Sequence, residues 1–225
     1  MIDPIEVLCT LALFAWVIVV VHPISLSLYN AMVKRGVKRE KAVYYIRKVI
    51  HIAAGGFVAL LVPFLYNTPL LPSTLAIVLA ILTYIPHRRG KLMYWFQVED
   101  NIYEVHFCIM WGIVIALAWL LFGMNRDAYW YGVIPVAFMA FGDGVTGLVR
   151  NKLYGHRTKS WKGNIAMLLV TIPIGALIGL AGIIAAFVAS IIEHFEIPGI
   201  IDDNITVPLA SFIVIIVLNH IPLPM

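Results

Sequence analysis

Several polar residues that could do chemistry stand at the ends of long apolar stretches. Asp143 lies between glycines in FGDGVTG, and Asp202, Asp203 and Asn204 stand together just before the last apolar stretch. Magnesium commonly takes one or two protein carboxylates and completes its shell with phosphate oxygens. These four residues therefore predict a Mg²⁺ site that also binds phosphate. Each group also has a simpler interpretation as a helix cap, which the residues alone leave open.

The segment RKVIH supplies cations that could bind the phosphate. Arg47, Lys48 and His51 are three and four positions apart, so a helix places two cations and an imidazole on one face, which suits an anion. The alternative is that Arg47 and Lys48 are interfacial anchors whose charged ends reach the lipid headgroups. His51 lies one turn deeper and is harder to explain in that way.

A second group of cations follows Asp143. The basic residues here are Arg150, Lys152, Arg157, Lys159 and Lys162. Any membrane protein is expected to carry such a basic loop, so most of them can serve topology or lipid contact. Lys159 and Lys162 stand out because they precede the next apolar segment in KSWKGN, beside Ser160 and Asn164.

The glycines around Asp143 have a physical use, but not in a dinucleotide fold. GDGVTG matches the fingerprint GxGxxG, but that motif requires a preceding strand, and here an apolar helix precedes it. Glycines let backbone amides approach phosphate closely. Gly142 and Gly144 are therefore candidate nucleotide contacts.

The composition indicates the elements that must position these residues. Of 225 residues, 62% are hydrophobic and 12% are charged, against about 25% charged in a soluble domain. Apolar runs of the ~20 residues needed to cross a bilayer recur along the chain. We predict an all-α, polytopic membrane bundle forming a single domain over residues 1–225. Membrane lipids are its expected surroundings, and no nucleic acid is expected as a partner.

The apolar runs give the predicted transmembrane helices. They lie at residues 5–29, 43–66, 70–86, 102–123, 128–149 and 205–221. The run 164–195 would be about 48 Å long as one helix, beyond the ~30 Å hydrocarbon core, so it is either strongly tilted or broken. A break at the glycine-rich patch of Gly175, Gly179 and Gly182 gives eight transmembrane helices rather than seven, and we favour eight.

Lysine and arginine predict the orientation, because they are retained on the cytoplasmic side. Fifteen of the 16 basic residues fall on alternate loops, and only Arg126 lies elsewhere. The basic loops are therefore predicted to face the cytoplasm and the N-terminus to lie outside. If Asp143 and Asp203 share one site, they lie on the same side of the membrane. This favours a run 164–195 that crosses the membrane and returns.

Four motifs in one order, on one predicted side, resemble the polyprenol kinase family. They are RKVIH, GDGVTGLVRNKLYGHRTKSWKGN, Glu193 at the end of an apolar segment, and DDNITVPL, and the resemblance covers about residues 45–225. The family includes dolichol kinases, phytol kinases and CTP-dependent diacylglycerol kinases. The resemblance implies a membrane kinase that uses CTP, or a related nucleotide, with Mg²⁺ to phosphorylate a lipid alcohol at the cytoplasmic face.

The residues support the same chemistry. Phosphoryl transfer needs clustered cations on the triphosphate, carboxylates that hold the metal, and an acceptor hydroxyl in line with the transferred group. The expected metal ligands are Asp143, Asp202, Asp203 and Asn204. The expected nucleotide contacts are Arg47, Lys48, Gly142, Gly144, Lys159, Ser160, Lys162 and Asn164. Asp143 is the first candidate for the catalytic base and His51 the second. Glu193 and Glu104 are candidate neighbours of the site, and neither Glu104 nor His106 receives a role.

Three other functions stay open at this point. A CTP-dependent cytidylyltransferase acting on a lipid phosphate needs the same membrane, metal and nucleotide, but the attack occurs at the α-phosphate. A transporter also uses broken helices and polar residues, although near the bilayer centre rather than at one end. A purely structural membrane protein would lose no activity on mutation of Asp143.

Overall fold

The computed structural model describes residues 3–155, 158–195 and 202–220, and the regular structure in those ranges is helical throughout. In chain order the helices are α1 Pro4–Lys34, α2 Arg39–Leu65, α3 Leu70–Arg88, α4 Tyr103–Leu121, α5 Asp127–Tyr154, α6 Trp161–Gly175, α7 Leu180–His194 and α8 Asp203–His220. The predicted all-α class is confirmed.

Six helical segments of the described chain are long and apolar enough to cross a membrane. They are α1 to α5 and the segment Trp161–Ile178, in which a 3₁₀ turn extends α6. Helices α7 and α8 are apolar but shorter. The number of crossings and the orientation of the N-terminus stay predictions.

Helix α5 is the centre of the bundle. In its apolar window 78% of the residues are buried, against 17% in α1 and in α3. It packs against α4, α6 and α8, and its own side chains Val133, Ile134 and Met139 are fully buried in the core. Residues carried by α5 are therefore enclosed by neighbouring helices.

The helices extend beyond the predicted apolar spans. Helix α1 continues to Lys34, α2 begins at Arg39, and α5 continues to Tyr154. Lysine and arginine are good helix formers, so the helix persists after the chain has turned polar. Asp143, at the end of an apolar stretch, therefore lies well inside α5, as it does in the predicted helix 128–149.

Three helices contain a wide π-helical turn. These turns are Val20–Ile24 in α1, His51–Gly56 in α2 and Phe138–Gly142 in α5. The second begins at His51, and the third ends just before Asp143. Such turns are frequent at functional sites. Both candidate catalytic residues thus adjoin an irregular turn of a long helix.

The run 164–195 forms two helices, so the predicted break at the glycine-rich patch is confirmed. Gly179 has φ 75° and ψ −151°, a conformation essentially restricted to glycine. Gly175 and Gly182 lie so close that a Cβ on either would meet the other's carbonyl. Ser190 Oγ donates to the Asn164 carbonyl at 2.9 Å, so the start of α6 and the end of α7 lie together.

Candidate functional site

Helix α2 presents its cationic face to Asp143 of α5. The Asp143 side chain is buried, and Lys48 Nζ donates to its Oδ2 at 2.5 Å. His51 Nδ1 lies 3.5 Å from the same oxygen and has no hydrogen-bond partner among the described residues. The Arg47 guanidinium lies over the Tyr103 ring at 3.7 Å from its centroid. The structure thus brings together the predicted RKVIH face and the predicted aspartate.

Arg150 joins three helices beside this pair. Its guanidinium makes two hydrogen bonds with the Glu193 carboxylate, Nη1 to Oε1 at 2.7 Å and Nη2 to Oε2 at 2.8 Å. It also donates to the Ser160 carbonyl at 3.0 Å and to Asn164 Oδ1 at 2.8 Å. Arg150 and Glu193 are 4% and 1% exposed. Arg150 is therefore a buried connector of α5, α6 and α7, and not a loop residue facing lipid.

Sequence reasoning missed this role of Arg150, although a signal was present. Arg150 lies seven residues after Asp143, close to two helical turns, so both side chains face the same side of α5. Glu193 was expected only as a neighbour of the site. In the structure its carboxylate lies within the site itself.

Lys159 connects the site to the last helix. Its ammonium donates to the Glu193 carbonyl at 2.7 Å and to Glu193 Oε1 at 3.0 Å. It also lies 3.6 Å from Asp203 Oδ2. The predicted residues Lys159 and Asp203 are thus neighbours of each other and of the Arg150–Glu193 pair.

The buried carboxylates of Asp143, Glu193 and Asp203 form a candidate metal centre. One oxygen of each lies within 4.8 Å of the others. They line a cavity of about 20 Å³, about the space of one water or ion, with Tyr44, Arg47, Lys48, Arg150, Thr158 and Lys159. We call these nine residues the polar cavity. Three oxygen donors from carboxylates fit a hard divalent cation such as Mg²⁺.

Two of the predicted metal ligands are directed elsewhere. Asp202 Oδ2 pairs with His106 Nδ1 at 2.8 Å, and Asp202 Oδ1 accepts from the Asn204 backbone N–H at 3.0 Å, so Asp202 caps α8. Burial raises the pKa of the Asp202 carboxyl, against the opposing effect of the His106 hydrogen bond. Asn204 donates to the Tyr103 carbonyl at 3.3 Å. The structure places Glu193, rather than Asp202 or Asn204, with Asp143 and Asp203.

The two predicted glycine contacts serve helix packing. A Cβ on Gly142 would meet Met167 and Thr171 of α6, and a Cβ on Gly144 would meet Ile52 of α2. Neither glycine lines the polar cavity. Their close helix contacts allow α5 to carry Asp143 up to Lys48.

The predicted contacts from KSWKGN separate into different roles. Ser160 Oγ accepts from the Lys162 backbone N–H and so caps α6, while the Lys162 side chain is exposed. Asn164 is buried and binds Arg150 and the Ser190 carbonyl through its amide group. Of the four predicted contacts in this segment, only Lys159 lines the polar cavity. The nucleotide-binding roles of all four stay predictions.

Glu104, which had no assigned role, lies apart from the polar cavity. Its Oε1 accepts from Gln97 Nε2 at 2.6 Å and pairs with His87 Nε2 at 2.6 Å. It therefore joins the start of α4 to the end of α3. His106, two residues later, belongs to the other side of α4, where it holds Asp202.

Comparisons with known proteins give a distant relative. No family model matches the chain, and no solved structure matches it. The chain is similar to a protein of Glycine max named "Probable phytol kinase 2, chloroplastic", with 25% identity over 75% of this chain. The match covers 63% of that protein, so the chain spans less than two thirds of its relative's length.

Proposed function

We propose that this chain is a membrane kinase that transfers the γ-phosphoryl group of CTP, or of a related nucleoside triphosphate, to a lipid alcohol. The observation that carries the proposal is the polar cavity, in which three carboxylates and four cationic side chains meet at one end of apolar helices. The similarity to a protein named as a phytol kinase supports the same class of reaction. The excess of basic residues on the loops at this end supports a cytoplasmic site.

The cations of the polar cavity are suited to a triphosphate. Arg47, Lys48 and Lys159 come from α2 and from the segment before α6, so they can contact phosphate oxygens from different directions. Lys48 and Lys159 now hold the carboxylates of Asp143, Glu193 and Asp203. Each lysine is a flexible point charge that can turn from a carboxylate to a phosphate.

The carboxylates would hold Mg²⁺ through Asp143, Glu193 and Asp203. When bound, the ion neutralises charge on the phosphate oxygens. Arg150 fixes the position of Glu193 through two hydrogen bonds, so this ligand is oriented in advance. Asp202 and Asn204, also expected as ligands from the sequence, contact His106 and the Tyr103 carbonyl, and their role as ligands stays a prediction.

Two neighbouring residues are candidates for the base that accepts the proton of the acceptor hydroxyl. The alcohol oxygen attacks the γ-phosphorus while the bond to the bridging β,γ-oxygen breaks, and the nucleoside diphosphate leaves. Asp143 or His51, whose side chains lie 3.5 Å apart, takes the proton released from the hydroxyl. Both are buried, so competing water is restricted.

The fate of a radioactive label tests the proposal. Purified protein in detergent with Mg²⁺ is incubated with CTP or ATP labelled at the α- or the γ-phosphate, together with phytol, geranylgeraniol, dolichol or diacylglycerol. We expect the γ-label, and not the α-label, in the lipid product. An α-label in the lipid, with a lipid phosphate as acceptor, would instead show cytidylyl transfer. Absence of label from every lipid would also overturn the proposal.

A further inference from the structure

A second, apolar pocket lies beside the polar cavity. It has a volume of about 90 Å³ and lies between α1, α2, α3 and α4. Its walls include Val17 of α1, Ala54 of α2, Leu79 of α3 and Trp111 of α4. Pockets of this kind, mostly apolar with a few placed polar groups, are typical of small-molecule sites.

His51 forms the boundary between this pocket and the polar cavity. It lines the apolar pocket, and its ring stacks on Phe107 with centroids 4.4 Å apart. Its Nδ1 lies 3.5 Å from Asp143 Oδ2 and is left without a hydrogen-bond partner in the part of the chain that the structure describes. The residue is 4% exposed. A buried polar nitrogen without a partner is costly, which points to a ligand group that completes its hydrogen bonding.

We infer that the apolar pocket holds the first part of the acceptor's hydrocarbon chain, with the hydroxyl group at His51. The inference rests on the proposed function and locates the second substrate. A ligand in this position has its apolar chain among Val17, Ala54 and Leu79 and its polar end beside Asp143. His51 is then a positioning residue for the hydroxyl as well as a candidate base.

The pocket is elongated along α2 and α3. On α3 it reaches from Pro72 to Thr83, which at 1.5 Å per residue is about 16 Å, close to half of a ~30 Å hydrocarbon core. On α2 it reaches from Ile50 to Val58. A chain that begins at His51 can therefore run along α2 and α3 from this pocket.

The small volume of the pocket favours one hydrocarbon chain over two. Its volume of about 90 Å³ is below the ~150 Å³ of an apolar protein cavity that binds benzene, so two acyl chains do not fit side by side. The wall near His51 is also closely packed, because a Cβ on Gly55 would clash with the Phe107 ring. Trp111 Nε1 donates to the Gly55 carbonyl at 3.0 Å. We therefore assign a single-chain alcohol, rather than a diacylglycerol, as the acceptor.

Photolabelling tests this assignment without relying on phosphoryl transfer. The probe is a geranylgeraniol analogue with a diazirine in its first isoprene unit, and the labelled peptides are mapped by mass spectrometry. We expect label on pocket residues of α3 and α4, with geranylgeraniol competing and dioleoylglycerol not. Leu79→Trp fills the pocket and should lower labelling about tenfold, which corresponds to ~1.4 kcal/mol of binding.

The matched control is Ile77→Trp, two residues away on the exposed face of α3. The Ile77→Trp variant should be photolabelled to the same extent as the parent protein. If Leu79→Trp unfolds at a lower temperature than Ile77→Trp, Leu75→Phe, one turn away in the same wall, replaces it. Three results would overturn the inference. They are label outside the pocket, labelling that neither Leu79→Trp nor Leu75→Phe changes, and competition by dioleoylglycerol equal to that by geranylgeraniol. Label in the pocket without any phosphorylation would overturn the proposed function instead.

Discussion

Arg150 connects three helices around the site. It binds Glu193 of α7 with two hydrogen bonds, Asn164 of α6 with one, and the Ser160 carbonyl with another. Arg150 and Glu193 are buried away from water, so each charged group depends on the other for stabilisation. The position of a metal ligand thus depends on a residue that need not touch the metal.

Replacing Arg150 should therefore destabilise the whole fold. Arg150→Gln leaves the Glu193 carboxylate buried with Lys159 as its remaining cation, and we expect a loss of about 3 kcal/mol in the free energy of unfolding. Lys152→Gln, on the exposed face of the same helix, should change it by less than about 0.5 kcal/mol. Equilibrium unfolding in mixed micelles measures both, and equal stability of the two variants would contradict the account.

For single residues, the sequence predicted several of the side chains that meet in the structure but not every partner. Lys48, His51 and Asp143 meet as the spacing of RKVIH suggested, and Lys159 meets Asp203. Charge alone cannot distinguish a lipid anchor from a buried ion pair, so Arg150 was missed. Adjacent side chains at a helix start point about 100° apart, which is why Asp203 faces the polar cavity while Asp202 faces His106.

At the scale of elements, the α6–α7 hairpin decides where Glu193 lies. Helix α7 has 15 residues, or about 22 Å, and returns along α6 from the turn at Gly179. The length of the run 164–195 predicted this break, because one straight helix would exceed the bilayer. The π-helical turns before Asp143 and from His51 were not predicted, because hydrophobic periodicity averages over several turns and does not register one extra residue.

The hairpin should be sensitive to a single methyl group. A Cβ on Gly175 would meet the backbone of Gly182, so Gly175→Ala must separate α6 from α7 and move Glu193 away from Arg150. We expect a loss of about 1–3 kcal/mol in the free energy of unfolding, together with slower phosphoryl transfer. Leu177→Ala, on a largely exposed side chain nearby, is the control. If Gly175→Ala matches it in stability and activity, the close packing has no functional role.

The polar cavity lies at one end of the helical bundle, and a second group of polar contacts lies at the other end. Opposite the polar cavity, the buried Glu6 of α1 accepts hydrogen bonds from the Asn67 backbone N–H at 2.8 Å and from Asn67 Nδ2 at 2.7 Å. Thr10 and Tyr66 are hydrogen-bonded at 2.9 Å on the same side. These contacts tie α1 to the turn after α2. They were not predicted, since Glu6 at the edge of an apolar run has no distinguishing pattern.

The distribution of basic residues makes the orientation testable. Both native cysteines are first replaced, by Cys9→Ser and Cys108→Ser. In this background, Asn125→Cys places a thiol between α4 and α5, and Lys152→Cys places one at the end of the bundle that holds the polar cavity. In intact cells, a membrane-impermeant maleimide should label position 125 and reach position 152 only after permeabilisation. The reverse pattern would show that the N-terminus and the proposed active site face the other way.

The central claim is that the polar cavity performs phosphoryl transfer, and the initial rate of label transfer from γ-labelled CTP to geranylgeraniol in Mg²⁺ tests it most directly. Asp143→Asn and Lys159→Ala should each lower this rate by about a hundredfold or more, since each removes a charge that acts on the transition state. The exposed controls Asp127→Asn and Lys152→Ala should stay within about twofold of the parent. If folded Asp143→Asn protein transfers the label as fast as the parent does, the polar cavity is not the catalytic site.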